Sequence, residues 1–344
     1  MTRQKLTKTL VLAALLLLVF SLPWILGLFK GPVYWRDVFI RIAIFILATS
    51  SMRAIYLTGE VSLGTSGFML LGGYSSALLA AKLGLSPWLA MLIGGLFAAA
   101  VGAAVAYPIF RIKGIYFVIA TLLLAFVFLY LAGWLQGLTG GWQGFRFFEI
   151  SPQLTIGSLT IAFTTKTNIE YYYLTIIVVG LCLFVLYRME HSRIGLVWGS
   201  IREADNLAQS VGVNIVAQKI FIFVVSCFFC GLAGALYAFH VHALSPTSTP
   251  ANVFHFFTSV YCLMYMVVGG EGSFFGAFIG TILFMLLREF SRGLEAYWPL
   301  VCGALLILII FFMPEGLIRI GDYITTWYRK IAGRFPKKVP SRNG

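Results

Sequence analysis

The chain has 344 residues, of which 60% are hydrophobic and only 11% charged, with a net charge of +13. Soluble domains carry about 25% charged residues, so this composition excludes a soluble globular fold and marks an integral membrane protein. The positive excess then belongs to loops that resist translocation, and not to a nucleic-acid surface.

The N-terminal MTRQKLTK followed by TLVLAALLLLVF has the plan of a signal peptide. SLPW follows where a small-x-small cleavage site would stand, so the run is read as a retained first span. A spanning helix needs about 20 apolar residues. The runs that qualify are 9–29, 38–57, 61–81, 88–108, 115–135, 171–187, 219–239, 253–269, 274–290 and 297–313. They are longer and more uniformly apolar than the alternating strands of a β-barrel, about 10 residues each. The fold predicted is all-α: a polytopic membrane helix bundle of about ten transmembrane helices over 1–320, with a basic tail at 321–344. With the N-terminus inside, seventeen of the 25 Lys and Arg fall on the cytoplasmic side, among them Arg53, Arg111, Arg188, Arg193, Arg202 and Lys219. That is the bias expected of inner loops. Both termini and 188–218 are therefore placed in the cytoplasm, and the loop 136–170 outside.

GEVSLGTSGFMLLGGYSSALLA, at 59–80, is too rich in glycine and hydroxyls for a plain lipid-facing helix. Interrupted membrane helices persist where they line a cavity or are buried in protein. Ser62, Thr65, Ser66, Tyr74 and Ser75 are the candidate substrate-path residues. Close helix packing through small residues explains the same composition, and both readings stand. Glu60 lies near the inner end of this span, where a carboxylate is expected to be paired or solvated; Arg53 is the nearest candidate partner in sequence.

GSIREADNLAQSVGVN, at 199–214, is a polar interruption of an oily chain. Ser200 and Glu203 have capping-box spacing, and Gly212 stands where a left-handed cap would end the helix. Ile201, Ala204, Ala208 and Val211 share one helical stripe. A lipid-surface helix favours large apolar residues and a basic face. Small alanines and mixed charge suit docking into a protein groove better.

Cys227 and Cys230 have C-x-x-C spacing but lie within a span with no second ligand pair, which favours core packing over metal or redox chemistry. His240, His242 and His255 are read as interfacial. GEGSFFGAFIG places Gly272, Gly276 and Gly280 in a tandem G-x-x-x-G suited to helix packing, within the chain or with a second subunit. No paired-carboxylate, Ser–His–Asp or metal-ligating arrangement stands out, so no catalytic or metal residue is assigned.

SRIGLVWGSIREADNLAQSVGVNIVAQK, at 192–219, resembles the coupling segment of the LivM-like inner-membrane permeases of branched-chain amino acid (HAAT-type) ABC importers. Gly195, Ile201, Arg202, Glu203, Ala208, Gly212, Asn214 and Lys219 keep that pattern; Ile194 and Asp205 depart from it. RIKGIYFVIATLLLAFV (111–127), GLTGGWQG (137–144), CGLAGALYA (230–238) and VVGGEGSFFGAFIGTIL (267–283) extend the resemblance over about 38–320. It implies a permease subunit that translocates branched-chain amino acids across a bacterial inner membrane. Its partners would be a second, LivH-like permease, two cytoplasmic ATPase subunits and a periplasmic binding protein. Ser200, Ile201, Arg202, Glu203, Ala204, Ala208, Val211 and Gly212 would form the ATPase-coupling element. The chain has no G-x-x-x-x-G-K-[ST] phosphate loop, so ATP and Mg would be bound by the ATPase partners. A permease for urea or another small amide or amino acid, and an ion-coupled secondary transporter, are the alternatives. The latter usually needs acidic groups at mid-membrane, whereas the acidic residues here cluster at span ends. In a background without native cysteines, Asp205→Cys should resist an impermeant thiol reagent in intact cells while Ser158→Cys reacts. Strong labelling at 205 would reverse the assigned orientation.

Overall fold

The computed structural model describes residues 32–112, 114–146, 153–156, 159–162, 169–247, 252–291, 293, 297–312 and 316–317. The first apolar run, 9–29, and the basic tail, 321–344, lie outside the described residues. Helices follow the apolar runs: α1 (Pro32–Tyr56), α2 (Thr65–Leu83), α3 (Pro87–Ile109), α4 (Ile115–Trp134), the single turn α5 (Gln136–Thr139), α6 (Ile169–Glu190), α7 (Arg193–Glu203), α8 (Asp205–Ser210), α9 (Ile215–Val241), α10 (Phe256–Gly269), α11 (Phe274–Phe290) and α12 (Trp298–Phe312). Local signals set several ends. Pro87 occupies the first turn of α3, where its missing N–H is no loss. Asn214 caps α9 by accepting from the Ala217 amide at 3.1 Å.

Among the described residues, five helices are long and apolar enough to cross a membrane, or six if one bent pair counts as a span. The chain is thus a polytopic helical membrane protein. Two expectations change. The runs at 253–269 and 274–290 give α10, of 14 residues, and α11, of 17, which meet at a bend of 117°, as in a broken span or a re-entrant loop. The run at 61–81 becomes α2, a helix buried within the protein and not one of the five apolar spans. Residues 60–64 stay non-helical ahead of it.

The chain forms two compact units, Met1–Leu263 and Met264–Gly344. In the first, α9 is the central helix and packs on α1, α2 and α3, while α6 packs on α1 and α4 on α2. Lipid is as apolar as the side chains, so burial alone cannot hold such helices together; close backbone approach and polar contacts must. Glycines supply the approach. Gly72 and Gly73 of α2 lie against the backbone of Gly231 and Gly234 in α9, and Gly94 of α3 lies over the Gly72 carbonyl. Cys227 fills the space beside Gly102, and the Cys230 sulfur lies 3.0 Å from Ser51 Oγ, so the C-x-x-C pair is core packing. The outer faces are apolar and exposed, as at Leu123 and Val127 of α4 and Ile177, Leu181 and Phe184 of α6.

Two short strands, β1 (Phe145–Arg146) and β4 (Ala243–Leu244), pair antiparallel at the C-terminal end of α9. A hairpin of β2 (Gln153–Ile156) and β3 (Leu159–Ala162) belongs to the same loop region. The α7–α8 segment sits at the opposite end of α9. A helix of 27 residues separates the two by about 40 Å at 1.5 Å per residue. The β1–β4 pair and the α7–α8 segment therefore occupy opposite ends of the bundle.

In the second unit, a bend joins the C-terminal part of α10 to α11. Gly276 packs on Gly269 and Gly270, Gly280 packs on the Tyr265 carbonyl, and the Tyr265 and Phe284 rings lie 5.3 Å apart. Of the G-x-x-x-G series, Gly276 and Gly280 thus close the bent pair within the chain, whereas a side chain at Gly272 would point into open space among the described residues. The α2–α9 contact yields a stability prediction. A methyl at Gly234 would collide with the Met69 carbonyl, so Gly234→Ala should cost about 1–3 kcal/mol and lower the unfolding temperature in detergent. Gly180→Ala on α6 meets open space and should be neutral or slightly stabilising. Equal melting of the two variants would refute the close contact.

Candidate functional site

At the end of the bundle where α1 and α6 finish and α9 starts, the polar segment 192–219 folds against the protein. It departs from the single capped helix expected. α7 begins after Ser192, and Ser200 is an interior residue whose hydroxyl donates to the Val197 carbonyl at 2.8 Å. Ser200 and Glu203 therefore do not form a capping box; Glu203 is the last residue of α7. Ala204 is extended, at φ −157° and ψ 91°, and splits the segment into α7 and the six-residue α8. Asp205 opens α8 at the end where its negative charge suits the helix dipole. Gly212 does take the left-handed conformation expected of it, at φ +87°.

The break also divides the predicted stripe. Ile201 (1% exposed) and Ala208 (4%) are buried in the chain's own body, Ala204 is half-buried, and Val211 (79%) is exposed. The stripe is thus not one outward docking face. Ile201 and Ala208 anchor the segment, with Trp198, whose indole N–H donates to Gln218 Oε1 at 3.2 Å. The apolar face left outward is Leu207 and Val211, with Leu196 on α7. Sequence periodicity missed Leu207, which lies off the stripe that a continuous helix would form.

Charged side chains tie the segment to the loop before α2. Arg202 donates to the Tyr56 hydroxyl at 2.8 Å, lies 4.2 Å over the Tyr56 ring, and packs against Gly59. Lys219, in the first turns of α9, bridges two carboxylates: Glu60 Oε1 at 3.0 Å and Asp205 Oδ2 at 3.3 Å. Lys219 and Glu60 are buried, and Asp205 is half-buried. Arg53, expected opposite Glu60, instead grips Glu190 of α6 with two hydrogen bonds of 2.6 and 2.9 Å. Both pairings join residues more than a hundred positions apart, so sequence spacing carries no signal for them. A cavity of about 410 Å³ opens beside the bridge, lined by Glu60, Asp205, Asn206, Gln209, Asn214 and Lys219 among others.

Two to six residues beyond Glu60 stand the hydroxyls singled out in sequence. Ser62, Thr65 and Ser66 are buried together at the start of α2. Ser62 Oγ accepts from the Gly64 amide at 3.3 Å, and the Leu63 amide donates to Thr121 Oγ1 of α4 at 3.0 Å. The Ser66 amide donates to Ser259 Oγ at 2.9 Å, and that hydroxyl donates to Ser66 Oγ at 3.0 Å. Ser259, on α10, was not a sequence candidate. Tyr74 and Ser75 lie farther along α2, apart from this cluster. Tyr74 packs against Phe254, its buried hydroxyl has no hydrogen-bond partner among the described residues, and Ser75 donates back to the Leu71 carbonyl at 2.6 Å. His240 lies 3.3 Å from Asp37, and the His255 ring nitrogen accepts from the Phe257 amide at 3.3 Å, so these imidazoles serve separate local contacts.

A bundle with apolar outer faces, a buried hydroxyl-rich helix and a polar segment clamped to the entrance of that helix define a multi-pass helical membrane protein. The sequence comparisons give the family. The profile of the family described as "Branched-chain amino acid transport system / permease component" matches residues 35–310, and the chain belongs to that family. It is 30% identical over 322 residues to the high-affinity branched-chain amino acid transport system permease protein LivM of Escherichia coli K12, covering 88% of this chain and 73% of that protein. The LivM of Salmonella typhimurium is 29% identical over the same shares. A nucleoside ABC transporter permease, NupC of Lactococcus lactis, is 26% identical over 68% of this chain and 74% of its own length. No solved structure matches.

Removing one member of a buried charge pair costs about 3–5 kcal/mol, because the other charge stays buried without it. Glu190→Ala should therefore destabilise the protein by several kcal/mol, and Arg53→Glu combined with Glu190→Arg should recover part of the loss. A double-mutant cycle in detergent reads the coupling energy, and zero coupling would remove the α1–α6 clamp from the account.

Proposed function

We propose that the chain is the membrane-spanning permease subunit of an ATP-driven importer that carries branched-chain amino acids across a bacterial inner membrane, and that residues 192–219 couple it to a cytoplasmic ATPase. Family membership and the names of the LivM relatives support the substrate class. The observation that carries the coupling reading is the broken segment itself. It is anchored inward by Trp198, Ile201 and Ala208, held to the α2 entrance by Arg202 and Lys219, and yet presents Leu207 and Val211 outward. An exposed apolar pair at a polar end of the bundle suits a partner groove. Arg202, Glu203 and Gly212 flank that pair.

In this reading the N-terminus and 188–218 face the cytoplasm, and about ten helices cross the membrane. A second, LivH-like permease completes the pathway, two ATPases bind ATP and Mg, and a periplasmic protein delivers substrate. The hydroxyls of Ser62, Thr65 and Ser66 line the start of the path. Tyr74 and Ser75 stand deeper along it. A zwitterion leaving water needs such polar partners.

Leu207→Asp and Val211→Asp place charge on the outward face without touching the buried anchor. Each should leave the permease inserted but reduce both ATPase co-purification and ATP-driven leucine uptake in vesicles at least tenfold. Ala208→Trp acts differently, because it dislodges a buried anchor and should reduce the yield of folded permease. Wild-type ATPase retention and uptake in both Asp variants would overturn the coupling face. A panel of Leu, Ile, Val and urea in the same vesicles tests the substrate class; urea uptake without leucine uptake would replace it.

A further inference from the structure

We infer that Lys219 is a positioning residue for transport: its ammonium links α8, as a separately hinged element, to the entrance of the polar helix α2. This rests on the coupling reading above and adds to it the residue that passes the movement on.

Three observations carry it. The first is the bridge. Lys219 holds Glu60 at 3.0 Å and Asp205 at 3.3 Å. Glu60 belongs to the non-helical stretch that runs directly into α2, and Asp205 is the first residue of α8. The ammonium sits on α9, the central helix against which α1, α2 and α3 are packed. One cation therefore joins α8, the entrance loop and the central helix.

The second is the hinging of α8. Extended Ala204 precedes it, and left-handed Gly212 follows it. Neither flank continues a helix into α8, so a tilt of its six residues about the buried Ala208 need not bend α7 or α9. Hinges are commonly a few residues at element ends that absorb backbone change.

The third is room and an open valence. The cavity of about 410 Å³ lies beside Asp205 and Lys219. The second carboxylate oxygen of Asp205, Oδ1, is buried without a hydrogen-bond partner among the described residues. Both features allow α8 to shift while one Asp205–Lys219 contact is kept, exchanged or broken. On the far side of Glu60 the chain is not free. Ser62, Leu63 and Ser66 are fixed by bonds within the entrance, to α4 and to α10. A displacement of Glu60 therefore reaches the buried hydroxyls within a few residues. Asp205 and Glu60 are both carboxylates, so losing the ammonium would replace attraction by repulsion between α8 and the entrance.

The test uses the assembled transporter in vesicles and measures ATP hydrolysed per substrate carried. Lys219→Met should keep ATPase subunits bound and hydrolysis within about twofold of wild type, while uptake falls at least tenfold. Lys219→Arg should restore most uptake, since it returns the charge. Asp205→Asn, which removes only the half-buried branch, should give an intermediate ratio and serves if Lys219→Met does not fold. An unchanged ratio in Asp205→Asn, or in a folded Lys219→Met, overturns this inference alone. Absence of ATP-driven uptake by the unaltered complex overturns the importer reading and this inference with it.

Discussion

The rest of the structure depends on the contact between the backbones of α2 and α9. α2 is rich in glycine, serine and threonine and would be costly to expose to lipid. It is buried because Gly72, Gly73, Gly231 and Gly234 let the two helices touch, with α3 closing over Gly72 through Gly94. In lipid such contact must replace the hydrophobic effect as the source of cohesion. Once α2 and α9 are fixed together, their starts are fixed too. Glu60, ahead of α2, then meets Lys219, on the first turns of α9. The polar end of the bundle is thus a consequence of packing deep within it.

The charges at that end are better understood as determinants of position than of stability. A buried ion pair roughly balances its desolvation against its attraction, whereas breaking one partner is costly. Arg53–Glu190 and Lys219–Glu60 therefore contribute little net cohesion but make alternative registers expensive. Arg53 ties the end of α1 to the end of α6, and Lys219 ties α9 to the α2 entrance and to α8. Arg202 adds a third tie, stacked on Tyr56 beside Gly59. Between them these contacts enclose the loop 57–64, which leads to the buried hydroxyls of Ser62, Thr65 and Ser66.

Much of this was legible in the sequence wherever the signal was local. Apolar runs located most helices, Gly212 announced its left-handed turn, and the hydroxyl-rich 59–80 announced a helix unlike its neighbours. Three things were not legible, each for a physical reason. Ser200 and Glu203 match a capping box by spacing, but the helix already starts after Ser192 and is anchored by the buried Trp198 and Ile201, which leaves Ser200 in its interior. The break at Ala204 has no glycine or proline to mark it; it falls between the buried Ile201 and Ala208, whose burial the spacing does not report. The bend between α10 and α11 follows from Gly269, Gly270, Gly276 and Gly280 packing on one another, and the hydropathy of two adjacent runs does not report an angle. The partners of Glu60 and Arg53 come from distant helices, which no single-sequence spacing can identify.

The central claim is that α8 and the entrance of α2 act as one mechanical unit through Lys219. Hydrogen exchange of the assembled transporter, compared with and without a non-hydrolysable ATP analogue, tests it most directly. Peptides covering 205–212 and 58–64 should change protection together in the intact protein, and only the first should change in Lys219→Met. A change at 205–212 with 58–64 unaltered in the intact protein would contradict the account.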